Sequence, residues 1–511
     1  MVDNEGASRG GHRPRLRREP SRLDQRAWWA DPSRRAVPWW EARRSPLPGV
    51  VHPGESMHDA ASERSAARSE VAIVPPGHGL VSSPAFVAAA VSLLVLMVTA
   101  QVSELPALSR VLVPVIALLA TIGFASWLQR RHPDEPWLAR LMILGMTVKL
   151  VGTLLRYFTL LKNGQLGDAS VYDLYGRRYA YAWLGKAGAV APTLSDLKSS
   201  NFLRWFTGIV YYLFGRDLFA GFFVFGVLGF VGSYLWYRAA VVAIPFLDRK
   251  LFFILMMFAP SLVFWPAGIG KEALMQFGLG SIALGVAYVL TDRMLYGFLI
   301  ALPGTWLVFV VRAHLFGLAA VAMAFAYLFG RRRKTTTTKG SLARPIGVVV
   351  VVLLAAFAVT QGAQRLHITS LTPGAVQDQL NATSASTTQE GSSFNTNVSL
   401  SPLHLPQDAI TVLLRPFPWE VDSKNQILAS LEGMALVAFI FHRRKSFALS
   451  LRKLREEPFL FYAWILTLLY VLLFQAFGNF GLLVRQRSLV LPALYVLLSL
   501  DPSLAQRANT T

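Results

Sequence analysis

Asp168 stands in the run Gly167-Asp168-Ala169-Ser170-Val171-Tyr172-Asp173, just past an apolar stretch, with Asp173 five residues on. A carboxylate so placed can take a proton from an incoming hydroxyl, general-base work that requires hydrogen-bond reach. Asp after Gly at the start of an element is also a common helix N-cap, so both roles stay open. Lys271 and Glu272 follow a Trp265-Pro266 turn and two glycines, Gly268 and Gly270. A helix starting there presents free N–H groups and a partial positive charge, which with Lys271 suits a phosphate; a snorkelling interfacial lysine is the plainer alternative. Arg415, Arg485 and Arg487 are further phosphate candidates, since guanidinium matches phosphate oxygens bidentately. Head-group binding or a salt bridge to Glu420 would use them otherwise. Glu272, Arg312, His314, Glu420 and Asn479 complete the set as substrate-positioning residues, with His314 equally suited to capping its own turn.

Something must bring residues from 168 to 487 together, and the composition says what. The 511-residue chain is 53% hydrophobic and 15% charged, with a positive mean hydropathy, whereas soluble domains are about 25% charged. This is the composition of an all-α, polytopic membrane protein. Apolar runs that can cross a bilayer, about 20 residues each, recur near 84–102, 108–128, 138–160, 219–243, 250–266, 272–290, 295–311, 313–329, 345–361, 426–442, 458–477 and 488–500. About twelve transmembrane helices are predicted, with amphipathic helices in the outer loops.

The chain divides accordingly into a disordered tail (1–80), three spans (81–160), a first large outer loop with interfacial helices (161–218), spans four to nine (219–361), a second large outer loop (362–425), and three last spans with a short tail (426–511). The stretch 202–214 is read as too short to cross. Lys149 falls inside the third span, where a charge marks a functional site by default, and no acidic partner within a span is evident for it.

The formal charge of +21 does not point to nucleic acid. The first 70 residues hold 13 Arg against 10 acidic residues, and the remaining excess concentrates beside span ends, at Arg130-Arg131, Arg331 to Lys334, and His442 to Arg455. Such clusters report topology under the positive-inside rule. Threading the spans by that rule puts both termini in the cytoplasm and all the candidate residues on the extracytoplasmic side. Absence of cysteine excludes disulfides, thiolate metal sites and thiol nucleophiles. No zinc-type spacing, Walker loop or nucleotide fingerprint occurs. No cofactor is expected, with a divalent cation left open.

Gly167-Asp168 with its aromatic follow-on, Leu213-Phe214-Gly215-Arg216-Asp217, the Phe264-Trp265-Pro266 to Lys271-Glu272 exit, and Gly478-Asn479-Phe480-Gly481 with Arg485-Gln486-Arg487 resemble the GT-C superfamily of integral-membrane glycosyltransferases, which includes protein mannosyltransferases and aminoarabinose transferases. The resemblance spans roughly 150–500. It implies transfer of a sugar from a polyprenyl-phosphate carrier to a glycan, lipid or protein acceptor at the outer face of the cell membrane. Asp168 would be the base, with Asp173 nearby, and Lys271, Arg415, Arg485 and Arg487 would hold the carrier phosphate. Two departures stand out: two spans precede the one leading to the acidic loop, and the paired acidic motif is missing. An O-antigen-type polysaccharide polymerase and a non-enzymatic lipid-linked-sugar flippase are the competing expectations.

Overall fold

The structure, a computed structural model, describes residues 106–162, 167–186, 197–331, 340–366, 368, 370–388 and 392–510. The predicted tail 1–80 and the run 84–102 lie outside these residues. The described chain is all-α, in the order α1 (Pro106–Arg131), α2 (Pro136–Lys162), α3 (Asp168–Trp183), α4 (Ser200–Phe214), α5 (Leu218–Ala243), α6 (Arg249–Phe258), α7 (Pro260–Phe264), α8 (Lys271–Leu290) and α9 (Met294–Phe329). It continues with α10 (Gly340–Arg365), α11 (Pro373–Thr387), α12 (Leu405–Leu414), α13 (Lys424–His442), α14 (Arg444–Arg452), α15 (Pro458–Phe474), α16 (Phe480–Arg487), α17 (Leu491–Leu498) and α18 (Pro502–Thr510). Six of these helices are long and apolar enough to cross a membrane, or up to eight if the bent pairs α13–α14 and α16–α17 each count as one span.

Helix α8 is the axis of the bundle. Its apolar window is 89% buried, wedged between α5 and α9. Small residues permit that approach: a Cβ on Gly280 would meet the Gly232 backbone of α5, and one on Gly285 would meet Ala301 and the Gly297 carbonyl of α9. Close contact through glycine is how helices associate where lipid removes the hydrophobic drive.

At 36 residues α9 is about twice the length a bilayer requires, and it folds back on itself. Arg312 leaves helical geometry at φ −146°, ψ 76°. A Cβ on Gly347 of α10 would meet both Met294 and Tyr327, so the two ends of α9 lie side by side. Phe309 and Phe316 meet across the bend with ring centroids 6.0 Å apart. Phe298 and Leu302 of one arm share a cavity of about 510 Å³ with Ala319 and Met323 of the other. The turn predicted at 312–314 is thus the tip of a helical hairpin.

The run 250–266, predicted as one span, is broken instead. Pro260 removes a backbone donor and separates α6, ten residues, from α7, five. Pro266 then leaves the carbonyl four residues earlier, Leu262, without its helical partner. Lys149 of α2, buried at 3% exposure, supplies the replacement: its Nζ donates to the carbonyls of Leu262 at 2.8 Å and Val263 at 3.2 Å. Seven residues on, and on the same helical face, Arg156 donates to the Phe264 carbonyl at 3.3 Å and covers the rings of Phe264 and Trp265. Two basic side chains thereby satisfy the open carbonyls at the C-terminal end of α7, packed within the protein. Lys149→Met is expected to lower stability by about 1–3 kcal/mol per carbonyl orphaned, read as a drop in unfolding temperature in detergent.

The opposite end of α2 fixes the other face. Glu135 there accepts from Arg249 at 2.7 Å, Arg443 donates to the Leu498 and Leu500 carbonyls, and Arg331 N donates to the Arg455 carbonyl.

Candidate functional site

The far end of the bundle from Glu135 gathers charge from four elements around one carboxylate. Glu272 sits in the first turn of α8, behind Gly270, which caps that helix without a side-chain hydrogen bond. Its side chain is 1% exposed, yet Oε1 lies 2.7 Å from Arg485 Nε of α16 and 3.0 Å from Arg312 Nη2 at the α9 tip. Arg312 Nη1 reaches Gln486 Oε1 at 2.5 Å, and Tyr470 of α15 donates to the Gln486 carbonyl at 2.6 Å. Arg156 and Lys271 act electrostatically on the same group. Four cations thus face a single buried acid. An uncapped α8 N-terminus adds partial positive charge to this end.

Lys271 Nζ contacts Ser199 Oγ at 3.3 Å. Ser199 in turn donates its N–H to the Val310 carbonyl at 2.9 Å, close to the residue where α9 breaks. The turn leading into α4 is therefore tied to the hairpin tip.

Asp168 opens α3 as its first helical residue. Gly167, at φ 51°, takes the capping position and makes no side-chain cap. The Asp168 side chain is exposed and interacts through space with Lys271, Arg485 and Tyr172. Burial raises the Tyr172 phenol above its usual range, so it remains a protonated donor beside that carboxylate.

Asp173 is engaged differently. It accepts from Arg177 at 3.0 Å and from the Tyr211 hydroxyl at 2.5 Å. Burial, then the Asp173 charge, pushes the Tyr211 phenol well above its ordinary value. The contact pins α3 to α4. Arg216 and Asp217 lie beyond α4, where Asp217 caps α5 through Ala220 N at 3.0 Å and pairs with Arg110 at 2.8 Å.

A second polar group links the other predicted residues. Arg415 pairs with Glu420, Nη2 to Oε1 at 2.5 Å and Nε to Oε2 at 3.1 Å, and its guanidinium lies over the Phe394 and Phe480 rings. Asn479 caps α16 through Leu482 N at 3.1 Å and meets Ser392 Oγ at the same distance. Arg487, 1% exposed, donates to the carbonyls of Leu413 and Arg415 and pairs with Glu432 at 3.3 Å. Glu432 also receives Ser261 N at 2.8 Å and the Ser261 hydroxyl. His314 is half-buried beside the Phe474 ring.

The structure therefore brings Lys271, Glu272, Arg312 and Arg485 together, with Asp168 at their rim. Arg415, Glu420, Asn479 and Arg487 are engaged in the neighbouring network, and Asp173 between α3 and α4. Sequence reasoning missed Arg156, Gln486, Tyr470 and Glu432. Glu432 is an acid inside the predicted span 426–442, and Arg156 shares a helical face with Lys149; both signals were present in the sequence. No family model, curated protein or solved structure matches the chain.

Proposed function

We propose that the chain is a membrane glycosyltransferase of the GT-C kind, which takes a sugar from a polyprenyl-phosphate-linked donor and places it on an acceptor at the extracytoplasmic face. The carrying observation is the excess of cationic charge, Arg156, Lys271, Arg312 and Arg485, around Glu272, with an exposed carboxylate at its edge. Buried charge requires counter-charge, and a phosphate head held at the bilayer surface supplies it. In the reaction, Asp168 accepts the proton of the acceptor hydroxyl and that oxygen bonds to the anomeric carbon. The bond from this carbon to the phosphate oxygen breaks on the opposite side. Polyprenyl phosphate leaves with the electron pair, its phosphate held by Lys271 and Arg485 before and after the bond breaks. The sugar inverts.

The same reading carries an orientation for the helices. Two arms of α9, counted separately, raise the number of spans towards the twelve expected from sequence. Arg331 bonds to the Arg455 carbonyl, and Arg443 holds the Leu498 and Leu500 carbonyls and faces Asp248; the positive-inside rule would assign these basic residues to the cytoplasm.

The test is consumption of a labelled polyprenyl-phosphate sugar by the purified chain in liposomes, run beside a diphosphate-linked oligosaccharide. Turnover of the diphosphate-linked donor alone moves the assignment to a polymerase; turnover of neither removes the enzyme. Arg485→Ala is expected to raise the apparent KM for the lipid donor about 10–100-fold with a smaller change in kcat, as when a charge-assisted contact to ground state and transition state alike is lost.

A further inference from the structure

Glu272 is an unusual neighbour for a phosphate. It is the most deeply buried member of the cluster, at 1% side-chain exposure, against 12% for Arg312 and 22% for Arg485. It holds both arginines through Oε1 alone. Its Oε2 has no hydrogen-bond partner among the described residues, and neither does Arg156 Nε. A Cβ on Gly270 would meet that Oε2 at 3.2 Å, and one on Gly268 would meet Arg156 Nε at 3.0 Å, so both orphaned atoms border the same glycine loop. Arg485 Nε is close to Glu272 Oε1, but its angle falls outside hydrogen-bond geometry. One oxygen shared by two guanidinium groups is a poor match. Three phosphate oxygens in a tetrahedral array can give each its own acceptor.

We propose that Glu272 is a built-in competitor of the ligand phosphate: the two share Arg312 and Arg485, and the buried carboxylate lowers the affinity of the site for its own anion. This inference rests on the phosphate-binding reading above and adds what that reading leaves out. A cluster with four cations and no internal acid would retain an anionic product. Glu272, approaching from the protein side, offers the arginines an alternative partner and lets the phosphate depart towards the side on which they are exposed. When the arginines turn to the phosphate, the carboxylate keeps a cationic neighbour, because Arg156, whose own Nε is unpartnered beside the same glycine loop, acts on it electrostatically.

The experiment titrates inorganic pyrophosphate and inorganic phosphate into the purified full chain in nanodiscs of neutral lipid, by calorimetry, for wild type, Glu272→Gln and Arg312→Gln. Glu272→Gln keeps the shape and removes the competing charge, so pyrophosphate is expected to bind about tenfold or more tightly, as when a like charge is taken from an interface. Unchanged or weaker binding, with the unfolding temperature retained, overturns the proposal and leaves Glu272 as a brace for the arginines. Should Glu272→Gln fail to fold, Glu272→Asp withdraws the charge by one methylene and is expected to give a smaller gain; no gain overturns the idea equally. Arg312→Gln separates the two readings, since it must weaken binding whatever Glu272 does. If Arg312→Gln binds both anions as wild type does, or if no form binds either, the phosphate site itself falls and this inference with it. Repeating the titration in nanodiscs doped with polyprenyl phosphate identifies the source: a lipid ligand lowers the apparent pyrophosphate affinity, and a free one leaves it unchanged.

Discussion

Asp168→Asn should reduce sugar transfer by about 10²–10⁴-fold, the usual contribution of a general base, and leave the unfolding temperature where it was. The second half of that expectation follows from geometry. Asp168 is exposed, and Gly167 rather than Asp168 holds the capping position of α3, so the amide removes charge without removing a support. Asp173→Asn gives the contrasting result. Its carboxylate is held by Arg177 and Tyr211, so its loss loosens α3 from α4 and lowers stability and activity together. The assay is turnover of labelled lipid donor beside thermal unfolding of the same preparations. Full activity in Asp168→Asn, with loss in a stable Asp173→Asn, would transfer the base role to Asp173.

The largest effect on stability is expected at Arg487. Arg487→Met strands Glu432 and uncovers the Leu413 and Arg415 carbonyls, and breaking a buried ion pair from one side costs about 3–5 kcal/mol. Adding Glu432→Met should recover only part of this, because Glu432 also caps the start of α7 through Ser261. Equilibrium unfolding of both variants in one detergent measures the difference. A double variant as stable as wild type would show that apolar packing offsets the lost Ser261 and carbonyl contacts together.

Much of the architecture was legible from hydropathy, and the reason is the solvent. A backbone in lipid must satisfy itself, so long apolar runs become helices with little choice. The Arg312 turn was legible for the same reason: two apolar runs flank a short polar interruption. What the runs could not show was the break at Pro260, since apolar composition continues through it and only the carbonyl left open by Pro266 calls for a donor from outside the helix. Lys149 therefore looked like a charge without a partner, although its partners are peptide oxygens, which composition never displays. In the candidate site, Lys271, Glu272, Arg312 and Arg485 were legible as charges sharing one face. Arg415 and Arg487 carried the same signal and are engaged elsewhere. Residue type marks what a side chain can bind, and only packing determines which partner reaches it first.

Lys149 and the Leu262 carbonyl are separated by 113 residues. A ribosome adding about 5–20 residues per second needs roughly 6–23 s to cover that distance. Until then Lys149 and Arg156 of α2 lack the carbonyl acceptors that they use in the folded protein. The helix is apolar enough to cross a membrane by itself, and its two basic side chains can snorkel or stay hydrated until α7 supplies the carbonyls. The pairing of α2 with α7 therefore closes only after the intervening helices have been made.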